Sequence, residues 1–114
     1  MNQQTPPLQN DLSNSVRIIL LNKSGHKIDE FFMRAGANLW VFIRKRGLPI
    51  GAACSGVGVC GACNIKVITN NPNAVSEQND FEKNTLLKNN KLIENRLACL
   101  CRVFSDLTIQ ADYW

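Results

Sequence analysis

The sequence predicts an α+β fold, a sheet with a helix packed on it. Three observations predict it: a hairpin-like start, a capped amphipathic segment after it, and further short strand-like runs in the second half of the chain. Val16 to Asn22 (VRIILLN) reads as a first strand, and Asn22-Lys23-Ser24-Gly25 supplies turn chemistry. His26 to Arg34 reads as the returning strand, with Ile28 and Phe32 facing alike and imperfect alternation elsewhere. Ala35-Gly36-Ala37 ends it. Asn38 is placed to cap a helix from Leu39 to Arg46 that stops at Gly47. Leu39, Phe42 and Ile43 fall on one face, and Arg44, Lys45 and Arg46 fill the last turn, where the helix dipole favours cations. Asn64 to Thr69 is a strand. Ser76 is the expected cap of a second, short helix reaching about Lys88, with Glu77, Asp80 and Glu82 early in it. Arg96 to Val103 and Leu107 to Ala111 are the expected last strands.

A chain of 114 residues suffices for one domain. The first residues are polar, rich in Asn and Gln, and carry Pro6-Pro7, so 1–14 is expected to be a disordered lead-in and 15–114 the domain. No basic stretch followed by an apolar run opens the sequence, so no secretory leader is expected and a cytoplasmic location is. From Gly47 to Ile65 no residue is charged, but five glycines, Pro49 and three cysteines make that run a loop rather than a membrane span.

The five cysteines define the chemistry. In a reducing compartment clustered cysteines more often bind metal than form disulfides. Cys54, Cys60 and Cys63 lie on one tight loop, where three thiolates can wrap two irons, and a further thiolate comes from a distant segment. Plant-type [2Fe–2S] ferredoxins use a C-x4-C-x2-C loop with a remote fourth cysteine; here the first gap is one residue longer. Gly56, Gly58 and Gly61 sit between the ligands, where a backbone that aims its amides at an anionic cluster needs glycine. For the fourth ligand, Cys99 and Cys101 compete: two residues apart on a strand, they would point to the same side.

GAACSGVGVCGACNIKV, followed much later by RLACLCRV, resembles the [2Fe–2S] ferredoxin family over nearly all of Val16 to Ala111. The x5 first gap and long final gap resemble the adrenodoxin and bacterial branch, while the glycine-rich loop is similar to plant-type members. The resemblance implies a β-grasp fold, one [2Fe–2S] cluster, and Cys99, in the RLAC segment, as the fourth ligand beside Cys54, Cys60 and Cys63. It further implies a one-electron carrier rather than an enzyme, a monomer that takes electrons from a ferredoxin reductase and passes them to an oxygenase, a hydroxylase or iron–sulfur assembly.

Three other readings remain in view. Cys60-x2-Cys63 with Cys99-x-Cys101 makes a four-thiolate zinc site on paper, although Cys99-x-Cys101 within a strand is a poor knuckle. Cys60-Gly-Ala-Cys63 has the spacing of a thiol-exchange motif but runs into a strand rather than a helix. A redox-sensing iron–sulfur protein is the third. A Rieske centre needs two histidines, and His26 stands alone. Basic residues are scattered and no aromatic platform accompanies them, which argues against nucleic acid. The polypeptide is formally +4, and a cluster with four thiolates brings it to roughly +2 when oxidised. Glu77, Asp80 and Glu82 read as early-turn acids that suit the dipole, with docking the alternative; Arg44-Lys45-Arg46 reads as a solvated helix end or a steering patch for an acidic partner. Trp114 is either a docking contact or packed back on the last strand.

Overall fold

The computed structural model describes residues 14–51 and 61–114. The expected lead-in, up to residue 13, and the run 52–60 with Cys54 and Cys60 lie outside the described residues. Strand β1 (Ser15–Leu21) pairs antiparallel with β2 (Lys27–Arg34), Ile18 opposite Phe31. The turn between them is built as its residues predict: Asn22 Oδ1 accepts from the amides of Ser24 (3.0 Å) and His26 (2.9 Å), and Gly25 takes φ +87°. Ile28 and Phe32 do share a face, but it is the solvent face, with Phe32 64% exposed; Phe31 and Met33 are the residues β2 sends to the core.

Helix α1 (Leu39–Lys45) starts where Asn38 Oδ1 accepts the Val41 amide at 3.2 Å and is followed by Gly47 at φ +79°. At seven residues it is too short to stand alone. Burial of Leu39 and Ile43, each worth about 1.5–3 kcal/mol, holds it on the sheet. Strand β3 (Asn64–Ile68) follows, then helix α2 (Asp80–Lys88). The cap of α2 is Asn79, whose Oδ1 accepts the Glu82 amide at 2.9 Å, and not Ser76. Ser76 is engaged elsewhere: its hydroxyl accepts the Arg102 amide at 3.0 Å and its own amide donates to the Arg102 carbonyl at 2.9 Å.

The expected strand from Arg96 to Val103 is also broken. Only Arg96–Leu97 is strand (β4); Ala98–Leu100 forms a 3₁₀ turn, closed by the Cys101 amide donating back to the Ala98 carbonyl at 3.1 Å. Strand β5 (Leu107–Gln110) completes a five-stranded sheet in the order β2-β1-β5-β3-β4. The β1–β5 pair is parallel and the others are antiparallel, the mixed β-grasp arrangement. Ile18, Leu20, Leu39, Ile43, Ile65, Leu97 and Ile109 form the centre of the core.

Candidate metal centre

The run that carries three of the predicted ligands leaves the described fold at Gly51 and returns at Gly61-Ala62-Cys63. These two stems meet. A Cβ on Gly51 would run into the backbone of Ala62, so only glycine fits the crossing. Several side chains from distant parts of the chain hold this neck. Trp40 Nε1 donates to the Gly51 carbonyl at 2.9 Å and Trp114 Nε1 to the Pro49 carbonyl at 2.6 Å. On the returning stem the Tyr113 hydroxyl donates to the Asn64 carbonyl at 3.0 Å. Burial pushes the Tyr113 phenol up, so it stays a donor through the neutral range. Gly61, at φ +69°, lies against the end of α2: a Cβ there would fall 2.9 Å from that of Asn89.

Two of the four predicted ligands are described, and the fold brings them together. Asn64 pairs with Leu97 in the β3–β4 ladder, and the Ala98 amide donates to the Cys63 carbonyl at 3.1 Å. Cys63 and Cys99 therefore flank the same end of that ladder, 2% and 5% exposed. Asn38 Nδ2 donates to the Cys99 carbonyl at 2.8 Å, which ties the Cys99 backbone to the start of α1. An iron–sulfur cluster takes soft sulfur ligands, and the described residues supply two buried thiols beside the stems of a run that has two more cysteines and no charged residue in its sequence.

Cys101 separates from Cys99. The equal-side argument holds for a strand; across a 3₁₀ turn, at about three residues per turn, positions two apart face differently. Cys101 is fully buried and its carbonyl accepts the Leu39 amide at 3.0 Å, placing it under α1. Among the described residues no group of three His, Cys, Asp or Glu side chains is placed to hold a metal ion. Burial pushes its thiol up to about 12, against the opposing pull of Arg96.

One feature of this region is absent from any local sequence pattern. Glu82, expected at the surface of α2, is 1% exposed. Its carboxylate takes two bonds from Arg96 (Nε 2.7 Å, Nη2 3.0 Å) and one from the Leu97 amide (2.8 Å), while Arg96 Nη1 reaches the Ser76 carbonyl at 2.6 Å. The carboxylate thus pins α2 to the two residues that lead into the Cys99 turn. A glutamate at N3 followed by an RLAC run is its sole trace in the sequence.

The fold and the paired thiols define a ferredoxin-type iron–sulfur protein. Residues 27–104 match the family of 2Fe-2S iron–sulfur cluster binding domains, and the chain belongs to that family. Its cofactor is one [2Fe–2S] cluster. Among solved structures, it is similar to an ISC-like [2Fe–2S] ferredoxin (FdxB) from Pseudomonas putida, at 21% identity and a TM-score of 0.72, covering 87% of this chain and 94% of that one. A ferredoxin from Rhodopseudomonas palustris aligns at 19% identity and 0.72, over 83% and 94%. A reduced putidaredoxin variant from Pseudomonas putida aligns at 18% and 0.72, over 86% and 99%. At these identities the likeness establishes the fold, and it is the bacterial-type ferredoxin fold. No curated protein sequence matches the chain. Among the described residues no helix is long and apolar enough to cross a membrane.

Proposed function

We propose that this chain is a cytoplasmic, monomeric one-electron carrier that receives electrons from a ferredoxin reductase and delivers them to an acceptor enzyme, with Cys54, Cys60, Cys63 and Cys99 as ligands. The observation that carries the proposal is the juxtaposition of buried Cys63 and Cys99 across the end of the β3–β4 ladder, at the neck of the run bearing the other two cysteines. When bound, a [2Fe–2S] cluster supplies reversible one-electron chemistry. The protein's part is to hold the four sulfurs, limit water and charge around them, and leave a partner a short path to the site.

Serine substitution of each cysteine tests the ligand set. Cys54→Ser, Cys60→Ser, Cys63→Ser and Cys99→Ser should lose or distort the visible absorption and the electron paramagnetic resonance signal of the reduced protein. Cys101→Ser should keep both. A normal spectrum from Cys99→Ser together with loss in Cys101→Ser would overturn the assignment. A colourless protein with stoichiometric zinc would overturn the carrier reading itself.

A further inference from the structure

In the last turn of α1 and at the end of α2 the exposed cations are Arg44, Lys45, Lys88 and Lys91, and they outnumber the exposed acids of the region, Glu94 and Asp112. In the last turn of α1, Arg44 stacks 4.8 Å from the ring centre of Trp40, the same indole that donates to Gly51 on the departing stem, and Lys45 lies 5.0 Å over Phe42. On the returning stem, Asn89 sits against Gly61, and Lys88 and Lys91 lie on either side of Asn89 in the chain, both exposed. Among the described residues none of these four cations pairs with a carboxylate; Arg46, the other member of the basic run, is held bidentately by Asp29. From Gly47 to Ile65 the sequence has no charged side chain, so the offset there is the cluster's own charge, roughly minus two when oxidised. Asp112, next to Tyr113, lines a hollow with Lys23, Lys66, Asn64 and Leu92, where the two lysines outnumber it.

The acids of α2 are at its other end. Asp80 lies eight positions before Lys88, ~12 Å along a helix. Glu82 is buried against Arg96 and unavailable to a partner. Between Glu82 and Asp106, Glu94 is the one carboxylate against five basic residues. Exposed apolar side chains are interleaved with the cations: Leu87 is 56% exposed and Leu92 61%. An apolar centre edged by charge is the composition of a protein-docking face.

We infer that the ends of α1 and α2 form a basic collar around the neck, made of Arg44, Lys45, Lys88 and Lys91, which docks an acidic surface on the redox-partner protein. The inference rests on the carrier reading above. Its physical content is charge complementarity. The collar draws a carboxylate-rich partner to the side of the molecule where Cys63 and Cys99 lie, raising the encounter rate in a salt-dependent way. The acidic start of α2 takes no part.

Cytochrome c in its native basic form and in its succinylated, acidic form gives two probes with the same haem. In stopped flow, the reduced protein passes one electron to haem iron(III), yielding iron(II) and the oxidised ferredoxin. At low salt the succinylated form should be reduced about tenfold faster than the native form, and the advantage should vanish as salt rises. Arg44→Glu and Lys88→Glu should each shrink that ratio. Lys88 touches no ring, so its variant reports charge free of any disturbance to Trp40. Arg17→Glu makes the same change in net charge beside Ile68 and Thr69, at the other end of β3 from Cys63, and should leave the ratio unchanged. Faster reduction of native cytochrome c, or equal effects of Arg17→Glu and Lys88→Glu, would overturn the inference. So would loss of binding to anionic phospholipid vesicles in the collar variants with no change in cytochrome rates, which would make the collar a membrane contact. A chain that takes up no cluster shows no visible spectrum before any mixing, so failure of the carrier reading is seen separately.

Discussion

Glu82 shows how much depends on one side chain. Its carboxylate is nearly inaccessible and receives three hydrogen bonds, two from Arg96 and one from the Leu97 amide. Removing one member of a buried pair leaves the other desolvated without compensation, at a cost of about 3–5 kcal/mol. Glu82→Ala should therefore lower the urea midpoint by that equivalent and also speed cluster loss to a chelator, because Arg96 and Leu97 lead directly into the turn that holds Cys99. The double variant Glu82→Met/Arg96→Met removes both charges and should recover much of the stability. If the double variant is no more stable than Glu82→Ala, the pair is not the source of the cost. In the sequence Glu82 reads as a dipole-suited surface acid because its partner lies fourteen residues away, beyond the reach of any periodicity argument.

At the scale of elements, what is legible in the sequence is what is local. Asn38 and Gly47 bracket α1 through chemistry carried by those residues themselves. The start of α2 is ambiguous because Ser76 and Asn79 are both competent caps, and the choice is made by Arg102, which engages Ser76 across the fold. The expected strand at 96–103 is too long because the 3₁₀ turn at Ala98–Leu100 leaves no mark in a run of small and apolar residues. The four-cysteine spacing is plain, but the difference between Cys99 and Cys101 depends on that turn. Two predictions belong here. Asn38 serves α1 through Oδ1 and Cys99 through Nδ2, so the two tasks separate by substitution. Asn38→Asp keeps a capping oxygen but loses the donor, and should leave the urea midpoint near wild type while accelerating cluster release. Asn38→Ala should accelerate cluster release and also lower stability by about 1 kcal/mol. Asp29 joins β2 to the end of α1 through Arg46, and the hydrogen bond from that guanidinium holds its carboxyl below the ordinary 3.8. A depressed carboxylate contributes stability that is fully present above 3.8 and is lost as pH falls through the lower, folded value. The difference in unfolding midpoint between wild type and Asp29→Asn should thus be flat from about pH 5 to 8. A slope in that window would assign the tie to another group.

For the molecule as a whole, the neck is where remote parts of the chain converge. Trp40 comes from α1, while Tyr113 and Trp114 follow β5, and their hydrogen bonds reach Gly51, Asn64 and Pro49 on the two stems. The Lys23 amide in turn donates to the Trp114 carbonyl at 3.3 Å, linking the first hairpin to the same cluster of contacts. The indoles are fixed by N–H donors to backbone carbonyls, so phenylalanine removes the bond and keeps most of the apolar body. One such bond is worth about 1 kcal/mol net, or about fivefold in an opening equilibrium. Trp40→Phe and Trp114→Phe should each raise the rate at which a chelator strips iron by about that factor, with smaller changes in the global unfolding midpoint. The two bonds hold Gly51 and Pro49, two residues apart on one stem, so their effects should be coupled: the double variant should differ from the product of the singles. Strict multiplicativity would mean that the stem opens independently at each point and that the neck is not a single clamp.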